Sequence, residues 1–127
     1  MIKLKDLLNE RVDFHLVASD LVEYYGLKSK VKFGGGKNEG DYNWTTDTIY
    51  LRKSYPSVKE LIVSVLHEIK HAIDVKRMGK SKYEKAYQHA GDMAVNQGKD
   101  FHDDNKFEEI TEKWAQKQYN SKWKNKF

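Results

Sequence analysis

The stretch SVKELIVSVLHEIKHAID, residues 57–74, decides how the rest of the chain is read. Ser57 with Glu60 three residues on is a capping-box signature, and the apolar run behind it opens a helix. Leu61, Ile62, Val65, Leu66, Ile69, Ala72 and Ile73 make a wide apolar face. Glu60, Ser64, His67, His71 and Asp74 make a narrow polar stripe at steps of three and four. A helix that is apolar on both flanks of a polar stripe is buried, and a buried polar stripe needs partners. His67 and His71 stand one turn apart on one face, within reach of a single metal ion. Neutral imidazole suits zinc. Glu68 projects about 100° round the helix from His67, away from the ligand pair. From there it reaches a water on the metal and can take its proton as the water attacks a carbonyl. The bland alternative, two histidines on a solvent face, fits poorly with apolar flanks.

The helix is expected to run from Val58 to about Lys76, with Gly79 as its stop. Upstream, Leu4, Leu7, Leu8, Val12, Phe14, Val17, Leu21, Val22 and Tyr25 follow helical spacing and predict one or two amphipathic helices ending near Gly26. Lys30 to Phe33 reads as a short strand. Gly34 to Gly40 reads as a loop or hairpin tip, and Trp44 to Arg52 as a second strand. Downstream, Tyr83 to Gln97 reads as a helix, Phe101 to Asp104 as a loop, and Phe107 to Tyr119 as a last helix with Phe107, Ile110 and Trp114 facing inward. The expectation is an α+β fold in one domain over residues 1–127. Its parts are a helical segment at 1–26, a small sheet at 30–52, the histidine-bearing helix at 57–78 and a last helix at 105–120.

Composition narrows the chemistry. With 127 residues there is room for one ordinary domain. Mean hydropathy is -0.86, so the core is small, and three Trp, eight Tyr and five Phe must supply much of its area. The absence of cysteine excludes disulfides, thiolate zinc sites, iron–sulfur clusters and a cysteine nucleophile. The start, Met1 to Asp6, has charges at alternate steps and no apolar h-region, so the expected location is cytoplasmic. No run reaches the roughly 20 apolar residues of a membrane helix. The net charge of +4 allows an anionic partner without requiring one.

A hydrolytic zinc site needs a third protein ligand and one open position. The candidates are Glu108, Glu109, His15, His89 and His102. On the last helix Glu108 and Glu112 share a face beside the apolar one. Glu108 can bind the metal, and Glu112 can accept a ring N–H of His67 or His71. Against this, Asn105 and Glu108 also make an acceptable capping box. His15 reads as structural.

The segment from Leu61 to Ala115 resembles the small zincin metallopeptidases of the glutamate-ligand (gluzincin) type, in particular short predicted peptidases of phages and related bacterial elements. Leu66 to Asp74 is similar to their active-site helix. Gly79, Tyr83 and Tyr87 match their glycine–aromatic–tyrosine spacing. Asn105, Phe107, Glu108 and Ala115 match the block that opens their ligand helix, with Lys106 where proline is usual and Thr111 where alanine is common. The resemblance implies a minimal zincin-like fold and a zinc ion on His67, His71 and Glu108, and it favours Glu108 over Glu109. It also implies peptide-bond hydrolysis with Glu68 as general base. A phage-encoded chain would work in the host cytoplasm or the virion. In zincins of this kind the strand before the active helix is the sheet edge and receives substrate as an added strand. That strand is expected at Thr46 to Leu51, with the Gly34–Gly40 loop as an upper wall.

Tyr83, Tyr87, His89 and His102 are candidates to stabilise an oxyanion. Lys117, Lys122, Lys124 and Lys126 interleave with Tyr119, Trp123 and Phe127. This reads as a solvated helix end with rings docked on the body, in preference to a nucleic-acid grip. The leading expectation is a zinc peptidase acting on an extended peptide or protein. The alternative is a non-catalytic zinc-containing accessory or binding protein that meets an anionic partner through its basic C-terminus.

Overall fold

In the computed structural model, residues 13–34 and 40–126 are described, and every structural statement below concerns them. The expectations for Leu4, Leu7, Leu8 and Val12, for most of the Gly34–Gly40 loop, and for Phe127 lie outside the described residues.

The fold is α+β, four helices around a three-stranded sheet. Helix α1 spans Phe14–Tyr24, strands β1, β2 and β3 span Lys30–Phe33, Gly40–Asn43 and Thr48–Leu51, helix α2 spans Val58–Met78, α3 spans Lys80–Asn96 and α4 spans Lys106–Gln118. One π-helical turn, Tyr119–Trp123, follows α4. The Asp13 side chain caps α1 by accepting from the Leu16 N–H at 3.1 Å. Val17, Ala18, Leu21 and Val22 are its buried face.

Helix α2 is the centre. Ser57 caps it as expected, its hydroxyl accepting from the Glu60 N–H at 3.2 Å. The helix continues two residues past Lys76, to Met78, and Gly79 stops it at φ +90°. It packs against α1, β2, β3, α3 and α4 at once, so Leu61, Ile62, Val65, Leu66 and Ile69 are almost wholly buried. Burying five such side chains contributes on the order of 10 kcal/mol, an upper bound that assumes a fully extended unfolded chain.

The sheet differs from expectation in two ways. Its order is β1-β3-β2, with β1 parallel and β2 antiparallel to β3. First, the second predicted strand is two elements. Trp44 to Asp47 is a turn, because the Asn43 carboxamide oxygen accepts from the Thr45 and Thr46 N–H groups at 2.9 and 3.3 Å and wraps the chain round itself. Asp47 completes the turn at φ +50°. Second, the turn folds β2 back along β3, so β3 is the central strand. The expected edge strand Thr46 to Leu51 is therefore covered on both sides, and β1 and β2 hold the two edges.

Helix α4 presents Glu108, Thr111 and Ala115 to the interior. Phe107 and Trp114 pack beside them. Ile110, expected inside, is 50 % exposed. It lies about 100° round the helix from Thr111, beyond the buried arc. The C-terminal rings dock on α1: Tyr24 meets Trp123 edge-on at 5.0 Å, and the Trp123 indole N–H donates to the Tyr25 hydroxyl at 3.1 Å.

Gly91 marks where α3 meets the loop before α4. A Cβ there would lie 2.3 Å from the Phe101 ring. Helix propensity alone would favour alanine by about 1 kcal/mol. We expect Gly91→Ala to lower the melting temperature instead, by pushing Phe101 out. Phe101→Ala in the Gly91→Ala background should then show no further loss, measured by thermal unfolding.

Candidate functional site

His67 and His71 project from α2 one turn apart, ring centroids 5.0 Å from each other. Their Nε2 atoms converge on a single oxygen of Glu108 from α4, Oε1, at 2.7 and 2.9 Å. One ligand atom from each of these three residues lies within 4.8 Å of the others, an arrangement that could hold a metal ion.

Each group is fixed from behind. The Nδ1 of His67 lies 3.0 Å from Glu112 Oε1, and Glu112 Oε2 accepts from the Gln116 amide at 2.9 Å. The Nδ1 of His71 lies 2.5 Å from the Tyr83 hydroxyl. The Tyr87 hydroxyl donates to Glu108 Oε2 at 2.5 Å. Because each Nδ1 has its own outer partner, each Nε2 is the atom left facing the common point. Two imidazole nitrogens and one carboxylate oxygen are a donor set that zinc accepts, so the residues present fit the ion.

The helices are registered to one another by Asn105, which is fully buried. Its side-chain oxygen accepts from the Phe107 N–H at 2.9 Å and caps α4. Its amide donates to the Tyr87 carbonyl of α3 at 3.1 Å. The Glu108 carboxylate points at the histidines, so the capping-box alternative for it does not hold. Glu109 is exposed and pairs with Lys113 at 3.1 Å, away from the cluster.

Glu68 is 5 % exposed and borders two cavities. One, about 220 Å³, lies over the cluster and is walled by Asp41, Tyr42 and Trp44 of the β2 segment and by Tyr83 and Tyr87. The other, about 570 Å³, runs between the first half of α2 and α4 past Ser64 and Gln116. Burial pushes the Glu68 carboxyl up to about 8, with His67 opposing and Glu108 reinforcing the rise. Burial disfavours the His67 cation, but hydrogen bonds to Glu108 and Glu112 outweigh it and raise its pKa to about 10. Glu108 is held well below the usual carboxylate range: burial opposes its charge, and hydrogen bonds from His67, His71 and Tyr87 prevail.

Of the other candidates, His102 reaches the cluster's rim, its Nε2 3.2 Å from Glu108 Oε2 on a 67 % exposed side chain. His89 is exposed and lines neither cavity. His15 is on α1, edge-on to Phe33 at 5.6 Å. Sequence reasoning missed the tyrosine roles toward His71 and Glu108, and the strut made by Asn105. It also missed the whole β2 wall, whose one local signal is the Asn43 turn. No protein-family model, curated protein or solved structure matches this chain.

The two raised pKa values give the metal-free chain a definite pH response. A His whose folded pKa is raised adds stability that is complete below its ordinary value of 6.5 and is lost as pH climbs through about 10. A Glu raised from 4.5 to about 8 costs stability increasingly over that interval. Both slopes have the same sign. In chelator, urea midpoints should therefore fall steadily between pH 5 and 10. Glu68→Gln should flatten the lower part of that fall, and Glu112→Gln the upper part.

Proposed function

We propose that the chain is a zinc-dependent peptidase that hydrolyses a peptide bond in an extended segment of peptide or protein. The observation that carries this reading is the convergence of His67 and His71 on one oxygen of Glu108, with the buried carboxylate of Glu68 alongside.

His67, His71 and Glu108 would hold the ion. A bound zinc ion supplies Lewis acidity, which acidifies water and polarises a carbonyl. The chain's residues do the rest. Glu68 takes the proton of the attacking water and returns it to the leaving amine. Glu112 and Tyr83 hold the two imidazoles in the tautomer that leaves Nε2 free for the ion. Tyr87 does the same service for the Glu108 carboxylate. With both tyrosine hydroxyls engaged in this way, His102 is the remaining candidate to steady the oxyanion from the open side. Substrate lies along β2, whose outer edge carries no further strand among the described residues. A site serving structure alone has no use for a buried carboxylate beside the open position, which weighs against the accessory-protein alternative.

Purified protein should carry about one zinc per chain, and chelation should lower its melting temperature, since the ion binds the folded form alone. Glu108→Ala should abolish tight binding and Glu109→Ala should leave it intact. Glu112→Ala should weaken it roughly 10- to 100-fold. Equal sensitivity at Glu108 and Glu109 would remove the ligand assignment.

Glu68→Gln separates enzyme from binding protein. It should bind zinc and melt like the parent in chelator-free buffer at pH 7, yet cleave an unfolded protein substrate slower by roughly 10² or more. Equal cleavage by the two proteins would mean that the activity arises elsewhere.

A further inference from the structure

A third cavity, of about 410 Å³, opens beyond the cluster toward the far end of α2. Its floor is Leu27, Ala72 and Val75, and its wall is Tyr42 and Trp44. The same two rings wall the cavity over the histidines, so the two spaces adjoin. On α2 the steps Glu68, Ala72 and Val75 follow one face, Glu68 lining the cavity over the histidines and Ala72 and Val75 lining this one.

Its rim is cationic. Lys28, Lys76 and Lys80 stand round it, all exposed, and no ion pair among the described residues engages any of them. The one acid on the rim, Asp47, has its Oδ1 engaged by the Ser29 and Tyr42 hydroxyls at 2.6 and 2.7 Å. Lys80 also occupies the first turn of α3, where the helix dipole disfavours a cation, and that turn has neither an acidic residue nor a side-chain cap. Three lysines gathered at an apolar hole, at some cost to a helix, complement a ligand that is anionic around an apolar centre.

We propose that this cavity is a binding subsite for an acidic peptide, seating one large apolar side chain on Leu27, Ala72 and Val75 while neighbouring carboxylates meet Lys28, Lys76 and Lys80. Its service as a substrate subsite rests on the peptidase reading; the binding does not. A nucleic acid fits less well, because the floor is aliphatic and offers a base no aromatic platform.

The test is fluorescence anisotropy with a labelled Glu-Glu-Phe-Glu-Glu peptide, on Glu68→Gln protein so that turnover does not consume the probe. Replacing the central Phe by Gly should weaken binding about tenfold, the worth of one buried apolar side chain. The variant Lys28→Glu, Lys76→Glu, Lys80→Glu should weaken it at least about tenfold. These are surface positions, and circular dichroism checks that the variant folds. Reversing Lys117, Lys124 and Lys126 instead should change little. An equal loss in that control would assign the attraction to net charge and overturn the subsite. So would indifference to the central Phe, or displacement by a ten-residue oligothymidylate at equal concentration. Lysine-dependent binding by a protein that cleaves no substrate would keep the subsite and remove the peptidase reading. Cleavage without preference for acidic flanks would do the reverse.

Discussion

One carboxylate oxygen, Glu108 Oε1, lies within hydrogen-bond reach of two imidazole nitrogens inside a largely apolar helix pair. That constraint orders much of the structure. Two histidines on the buried side of α2 would each cost several kcal/mol if left without partners. Their satisfaction requires α4 to lie at one depth and one rotation against α2. The cap at Asn105, the tyrosines of α3 and the pair Glu112–Gln116 all serve that placement.

The polar cluster is surrounded by rings. Tyr83, Tyr87, Phe107, Trp44 and His71 contact one another edge-on or tilted, at 5.6 to 6.4 Å between centroids. Aromatic pairs in these geometries add to area burial. Tyr83 and Tyr87 also carry hydroxyls, which is how a small, wet sequence builds an apolar wall and an orienting shell from the same side chains. The abundance of tyrosine finds its reason here as well as in the docking of the C-terminal turn on α1.

Cavities border the site on both its β2 and its α4 sides. The small cavity over the cluster, the larger one past Ser64 and the lysine-rimmed one under Trp44 all meet α2. A ligand lying along β2 would border the cavity over the cluster, which Asp41 and Tyr42 line. This is a consequence of the hairpin: had β3 kept the sheet edge, Tyr42 and Trp44 would not wall both cavities.

What the sequence determined by itself was local. The cap at Ser57, the stop at Gly79 and the apolar faces of α2 are set within a few residues by propensity and spacing. So is the pairing of His67 with His71, since four residues on a helix are always neighbours. Even the cap at Asn105 and the direction of Glu108 relative to Glu112 follow from helical period. Tertiary structure decided everything that depends on which segments meet. Ile110 looked internal by composition and is outside, because the buried arc of α4 is centred on Glu108, Thr111 and Ala115. Tyr83 and Tyr87 became partners of His71 and Glu108 only when α3 folded back along α2. The strand at Thr48 to Leu51 lost the sheet edge to β2, since a three-residue side-chain turn at Asn43 is invisible to two-residue alternation. Which strand faces the histidines is a long-range pairing, and no local pattern records it.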